Sequence, residues 1–297
     1  MQSVMIWILL LAAIVCCGII RYDTHHFHIV RYQLVNPKLK KALRVVVLAD
    51  LHDTVYGTDN AQLYAAVKEQ KPDLILIAGD MVTASRRADF GASAALLEAL
   101  AAEFPVYYGM GNHESRIAER SAEYGFRYEE YRRRLLSAGV VFLEDDSVIL
   151  PQFHIVLHGL ELEECYYHQT GKKGLPPDCL LNKLGTAEGG YFHLLIAHNP
   201  DYFSQYAGWG ADLTVSGHVH GGIVRLPVLG GVISTSFRLF PKYDGGLFTF
   251  QGTAMVISRG LGSHTIPLRM FNPGECVVID MEPGEIQNVH TCKAGEV

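Results

Sequence analysis

The sequence predicts an α/β fold: a two-sheet α/β sandwich with outer helices, preceded by one N-terminal transmembrane helix. Three observations carry this reading. From residue 43 to about residue 145, apolar β-branched runs alternate with helix-like stretches, the pattern of βαβ units and a mainly parallel sheet. After Gly221 strand-like runs dominate, which calls for a second sheet. Residues 1–20, "MQSVMIWILLLAAIVCCGII", carry no charged side chain.

The elements follow in order. About 20 apolar residues suffice to cross a bilayer as a helix. A cleaved signal peptide wants a basic n-region and a small-x-small cleavage site, and neither is present in residues 1–20. The expectation is therefore an uncleaved anchor, with residues 4–20 in the membrane. Arg21, Arg31, Lys38, Lys40, Lys41 and Arg44 follow the segment. The positive-inside rule then puts the main domain on the cytoplasmic side. Residues 21–42 are expected to form a linker with an edge strand, "HFHIVRYQLV". Residues 43–297 are expected to form one domain. "LRVVVLAD", "LILIAGD" and "PVYYGMGN" read as buried strands. "NAQLYAAVKEQKPD", "DFGASAALLEALAAEF" and the charged stretch 120–138 read as helices. "FHIVLHGLEL", "YFHLLIAHNP", "DLTVSGHVHGG", "GLFTF", "TAMVISRG" and "CVVIDM" supply further strands, and 161–190 is a long polar loop.

Composition narrows the function. Nearly half of the 297 residues are hydrophobic, enough for a core without disulfides. A net charge of −6 gives no electrostatic footprint for nucleic acid. The six cysteines, at 16, 17, 165, 179, 276 and 292, form no C-x-x-C pair, so free thiols are expected.

Five strands end in side chains able to bind metal: Asp50 and His52, Asp80, Asn112 and His113, His198, and His218 and His220. Each tip alone has an ordinary explanation as a helix cap, a turn or a core histidine. Five tips at the same end of their strands, where α/β sheets gather ligands, favour a shared site. Within Asp50/His52 and His218/His220, alternate residues of an extended chain would point the same way. Mixed oxygen and imidazole donors suit Mn, Fe or Zn. A carboxylate can bridge two such ions about 3.5–4 Å apart, the spacing used in phosphoryl chemistry. In "YYGMGNHESR" Asn112 offers a neutral oxygen. His113, one residue on, faces the substrate, and Glu114 is expected to orient it and hold it protonated. Arg116, Arg238, Lys242 and Arg259 are candidate phosphate anchors or plain surface charges, and His158 and His264 either line the site or serve core or surface roles.

D-x-H in "DLH", G-D in "AGD", "GNHE", the His of "AHNP" and G-H-x-H in "GHVH" together resemble the motif set of the calcineurin-like metallophosphoesterases. The spacing agrees, with 26 residues between His52 and Gly79 and 30 between Asp80 and Gly111. The resemblance covers residues 43–222. The tail "FPKYDGGLF…VISRGLGSHTIPLR…NP" is similar to the membrane-anchored bacterial (YkuE-like) branch. The resemblance implies two divalent metal ions. Asp50, His52, Asp80 and His220 would surround one, and Asp80, Asn112, His198 and His218 the other, with His113 as the catalytic acid. The expected activity is a metal-dependent phosphoesterase, more specifically a phosphodiesterase acting on a lipid- or nucleotide-linked phosphodiester through a hydroxide between the metals. The alternatives are a phosphomonoesterase or phosphoprotein phosphatase, and a non-catalytic metal-binding scaffold.

Overall fold

The computed structural model describes residues 2–125, 127–167, 173–187, 189–226, 230–233, 239–263, 268–285 and 290–292. The first half runs α1 (Gln2–His25), β1 (Phe27–Asn36), β2 (Leu43–Leu48), α2 (Ala61–Glu69), β3 (Leu74–Ala78), α3 (Gly91–Ala101), β4 (Val106–Gly109), α4 (Asn112–Glu119), α5 (Arg127–Ser137) and β5 (Val141–Leu143). The second runs β6 (Asp146–Leu150), β7 (Ile155–Leu160), α6 (Cys179–Leu184), β8 (Phe192–Ala197), α7 (Phe203–Trp209), β9 (Leu213–Ser216), β10 (Val224–Leu226), β11 (Gly230–Ile233), β12 (Gly246–Phe250), β13 (Thr253–Ile257), β14 (Gly274–Pro283) and β15 (His290–Cys292).

Two mixed sheets result, as expected. One has the order β15-β1-β14-β2-β3-β4-β5 and the other β12-β13-β9-β8-β7-β6. Strands β2 to β5 are parallel to one another, and so are β7, β8, β9 and β13. The unbroken apolar runs have a physical cause, because both faces of the central strands are covered. Val46, Leu48, Ile75 and Ile77 pack under α2, α3 and α5. Their neighbours Val45, Val47, Leu74 and Leu76 meet Ile155, Leu157, Leu194, Ile196 and Val215 of the opposing sheet. Leu195 and Ala197 then face outward onto Leu180 and Tyr206 of α6 and α7. Each such side chain, fully buried, contributes about 1.5–3 kcal/mol. The layers are therefore helix, sheet, sheet, helix.

Four expectations shift in detail. The strand at 27–36 lies inside its sheet rather than at the edge, because β14 pairs with all ten of its residues and β15 covers Arg31, Tyr32 and Gln33 on the other side. Of the segment 21–42, residues 27–36 are thus part of the sheet. The charged helix begins at Arg127, not 120, after a turn at 120–125. The apolar helix runs on to His25. Asn112, His113 and Glu114 form the first turn of a helix. Cys16, Cys17, Cys165, Cys179 and Cys276 are free thiols.

Helix α1 is long and apolar enough to cross a membrane by length and composition, and none of its apolar stretch is buried against the protein. The two sheets meet so that β2, β3 and β4 on one side, and β8 and β9 on the other, end at a common edge. The polar tips begin there.

Candidate metal centre

The sequence-predicted ligands lie beyond the strand ends, and their backbone is not extended. Asp50 (φ 51°), His52 (φ 48°), Asp80 (φ 55°), His218 (φ 73°) and His220 (φ 53°) all occupy the left-handed region. The expected alternation along an extended chain therefore does not apply. Each residue turns the chain sharply, so that successive ligands curl around one centre. A non-glycine residue at such φ is uncommon, and clusters of them mark functional sites.

The side chains converge in three overlapping groups of potential ligand atoms: Asp50, His52 and His220; His52, Asp80 and His113; and Asp80, His198 and His218. Asp80 is common to two of them. Asp50 Oδ1 lies 3.6 Å from His220 Nε2 and 3.8 Å from His198 Nε2. Asp80 Oδ2 lies 3.0 Å from His198 Nε2 and 3.8 Å from His52 Nε2. His52 and His220 approach Nε2 to Nε2 at 3.2 Å. Two imidazoles on one tetrahedral zinc at its usual bond length would stand about 3.3 Å apart, so this separation suits a shared ion. Asn112 Oδ1 is buried with no hydrogen-bond partner. A buried amide oxygen left without a partner, one residue before the His113 N–H that Asp80 accepts, fits a cation ligand. On these grounds the residues present fit a metal centre.

Tautomers sort the histidines. His198 Nδ1 donates to the Ala78 carbonyl at 2.6 Å, and His220 Nδ1 donates to the Gly262 carbonyl at 3.1 Å. A carbonyl can only accept, so Nε2 of each ring is left as the nitrogen that can bind metal. His113 is reversed. Its Nδ1 accepts the Ala84 N–H at 2.8 Å, so its Nε2 carries a hydrogen. Although His113 stands near His52, with ring centroids 4.7 Å apart, it presents a donor rather than a lone pair.

Burial, only partly offset by the Asp80 carboxylate, lowers the pKa of His113, so the ring is neutral. The expected role of Glu114 changes accordingly. Its carboxylate does not hold His113 protonated. It accepts the backbone N–H groups of Asp80, Met81, Val82 and Gly111 and the Tyr108 hydroxyl. Burial and then Asp80 push its pKa up to about 8, but five converging donors favour the charged form. Glu114 thus ties the Asp80 turn to the start of α4. Asp80 reciprocates by accepting the His113 N–H on Oδ1 at 2.8 Å. These turns touch so closely that a Cβ on Gly111 would sit 2.2 Å from Asp80 Oδ1, and one on Gly79 2.7 Å from Gly111 Cα.

Burial alone would raise Asp80 and lower His198, yet their mutual attraction dominates. Asp80 is held well below the usual carboxylate range, and His198 is raised to about 10. Burial raises Asp50 to about 7 and lowers His218 to about 3.

Three further groups shape the centre without an obvious sequence signal. Arg269, fully buried, donates to the carbonyls of Arg259, Gly260, Gly262 and Asn272. It thereby holds the loop whose Gly262 accepts from His220 and donates to the Asp50 carbonyl. Asn272 donates from Nδ2 to the carbonyls of His220 and Gly222, both at 2.7 Å. Both residues lie in the tail singled out by resemblance, the one hint that the sequence offers. Tyr167 sets its ring 5.0 Å from that of His218, edge to face. Of the other residues considered, Arg116 pairs with Glu164, Arg259 with Glu275, and His158 with His193 and Ser147. Lys242 is exposed over the Tyr243 ring. Arg238 and His264 lie outside the described residues.

Comparisons with known proteins give the family. The model of the calcineurin-like phosphoesterase family matches residues 43–222. The chain belongs to this family. It is a metal-dependent phosphoester hydrolase by that membership. This phosphoesterase is similar to phosphodiesterase YaeI of Escherichia coli K12, 28% identical over 246 residues covering 80% of this chain and 82% of the relative. It is also similar to the uncharacterized metallophosphoesterase YkuE of Bacillus subtilis 168, 24% identical over 273 residues covering 89% of each. Among solved structures it resembles TT1561 of Thermus thermophilus, with a TM-score of 0.44, 10% identity, and coverage of 75% of this chain and 90% of that one.

Metal binding to this phosphoesterase should release protons. A divalent ion at His198 must displace the proton that Asp80 holds there up to about pH 10, and Asp50 is half protonated near 7. Deprotonation exposes the ligand, so apparent affinity should tighten as pH rises from 7 towards 10. Calorimetric titration with Mn or Zn, in buffers of different ionisation heat, checks this. An affinity that is flat across the window, with no proton released, contradicts the assigned protonation states.

Proposed function

We propose that this chain is a membrane-anchored, dinuclear-metal phosphodiesterase. Its domain would occupy residues 43–297 and face the cytoplasm, with α1 as an uncleaved anchor. The carrying observation is the convergence of two buried carboxylates, Asp50 and Asp80, with the imidazoles of His52, His198, His218 and His220, five of these six residues on left-handed turns, with Asp80 common to two ligand groups and the orphaned Asn112 amide at the start of α4. Asp50, His52, Asp80 and His220 would hold one ion, and Asp80, Asn112, His198 and His218 the second, of Mn, Fe or Zn. Bound there, two such ions would polarise the phosphoryl oxygens and activate a water as nucleophile. The chain's own residues supply the rest. Asp80 and Asp50 bring negative charge into a buried pocket and keep the cations close. Asn112 adds an oxygen without adding charge. His113 offers its Nε2 hydrogen to a phosphoryl oxygen or to the departing oxygen, from a ring fixed by the Ala84 N–H.

The diesterase preference leans on the similarity to YaeI, a relative named as a phosphodiesterase. A lipid- or nucleotide-linked phosphodiester suits an enzyme held at a membrane. A phosphomonoesterase or phosphoprotein phosphatase is the main rival. A scaffold that keeps its metals for structure alone has no use for the reversed His113 tautomer.

Metal content separates the ligand roles. Asp80→Ala should lose both ions, and Asn112→Ala should chiefly weaken one. Elemental analysis that finds two ions retained in Asp80→Ala protein removes Asp80 as the shared ligand.

Rates test His113 and the reaction together. The protein should hydrolyse bis(p-nitrophenyl) phosphate only with metal, and faster than the monoester. His113→Asn should keep its metals but lose about 10²–10⁴-fold on an ester with a poor leaving group. The loss should shrink for p-nitrophenolate, which needs little help to depart. An equal loss for every leaving group, or loss of an ion, contradicts the role given to His113.

The anchor has its own test. The full-length chain should stay with membranes after a high-salt wash. Recovery of the uncleaved chain in the soluble fraction overturns the anchor.

A further inference from the structure

The end of α1 is fastened to the metal centre. Asp23, in the last turn of α1, is buried, and its Oδ2 accepts the Asn272 N–H at 2.9 Å. The His26 carbonyl accepts the Gly274 N–H at 3.0 Å. Asn272 in turn donates to the carbonyls of His220 and Gly222. A short chain of hydrogen bonds therefore runs from the apolar helix to a candidate ligand.

A small flap grows from the same point. Shortly after His220 the chain enters β10, which pairs antiparallel with β11. Met270 bridges to Val224 on one side of this pair, and Leu239 bridges to Ile233 on the other. The Phe240 N–H donates to the Val232 carbonyl at 3.0 Å. Arg225 and Asp244 pin the flap from within: the guanidinium bonds the Asp244 carboxylate at 3.0 Å, and that carboxylate accepts the Gly231 N–H. The flap is held by these bonds, yet four apolar side chains of the flap and the segment beside it turn to solvent. Leu226, Leu239, Phe240 and Phe271 stand exposed, Leu239 and Phe240 by 68% and 61%. Both phenylalanines hold left-handed backbone, φ 47° and 55°, an unusual conformation for a bulky residue.

We infer that this flap is a second membrane contact, which seats the mouth of the metal centre against the bilayer surface and selects phosphoesters carried by lipids. The inference rests on the anchor reading above. Continuity argues for the bilayer as occupant: Phe271 immediately precedes the residue bonded to Asp23, so the flap starts where the apolar helix ends. The residues at the end of α1 and next to the exposed Leu239 and Phe240 in the chain are interfacial in character. Arg21 and Lys242 are exposed cations suited to headgroup phosphates, and Tyr22, half exposed, stacks on His26 at 4.0 Å. Aromatic and cationic side chains together with exposed Leu and Phe side chains match the headgroup boundary, where such side chains gain burial without crossing the bilayer. A lipid phosphoester held in that boundary would meet the centre without leaving the membrane. A soluble nucleotide ester would gain nothing from the flap.

The experiment uses the full-length chain in phosphatidylcholine–phosphatidylglycerol vesicles. A tryptophan is added by Phe240→Trp, and quenching by lipids brominated near the headgroup is read as the increment over the parent protein. Flotation of the same vesicles reports α1 separately. The expected result is co-flotation plus strong quenching of the added tryptophan. Co-flotation without quenching overturns the flap contact and leaves the anchor standing; failure to float overturns both. A second variant, Leu239→Asp with Phe240→Asp, should leave hydrolysis of soluble bis(p-nitrophenyl) phosphate unchanged. Hydrolysis of a chromogenic phosphodiester lipid in the vesicles should fall at least about tenfold, the equivalent of removing one fully buried apolar side chain at the low end of its burial value. Equal rates on the vesicle substrate contradict the inference. So does quenching lost together with a shift to dimer, which would assign the apolar face to a second copy of the chain.

Discussion

The structure depends on keeping two buried carboxylates, Asp50 and Asp80, in one pocket. Two like charges removed from water repel strongly and lose their hydration. The surrounding fold answers that cost in several ways. Asp50 accepts the His218 N–H on both oxygens at 3.0 Å. Asp80 draws on the His198 ring and the His113 N–H. The divergent titration of the pair, Asp80 held low and Asp50 raised to about 7, reflects a pocket short of positive charge. Divalent cations would supply it.

Geometry follows from the same demand. Ligands on straight strands would point past one another. Left-handed turns at Asp50, His52, Asp80, His218 and His220 fold them inward, and such turns need support from behind. Glu114 braces the Asp80 turn through backbone N–H groups. Arg269 braces the loop behind Asp50 and His220 through backbone carbonyls. A buried carboxylate and a buried guanidinium thus do opposite halves of one task, each satisfied almost wholly by main chain. The glycines at 79 and 111 permit the close approach that the Glu114 brace enforces.

Much of this is legible in the sequence, and the limits are instructive. The apolar runs at 43–48, 74–78 and 192–197 reveal central strands because both faces are buried. The polar tips reveal the pocket because its residue types have little other use together at strand ends. Backbone handedness is not legible, since nothing in "DLH" or "HVH" signals left-handed turns for Asp and His. The expectation for Glu114 fails because sequence adjacency to His113 suggests contact, while the helix that starts at Asn112 sends the two side chains to different partners. Strand β1 looks like an edge because its exposed face alternates, but pairing lies in the sheet plane and leaves no such trace. Arg269 and Asn272 act through main-chain carbonyls, a relation that no local pattern encodes.

The central claim is that Asp80 joins two ions in this pocket while His113 stays outside the ligand set. Anomalous diffraction from crystals grown with manganese tests it most directly. The account predicts two peaks about 3.5–4 Å apart, with the Asp80 carboxylate between them and the His113 ring bound to neither. A single peak, or two peaks of which one is bound by His113 Nε2, would contradict it.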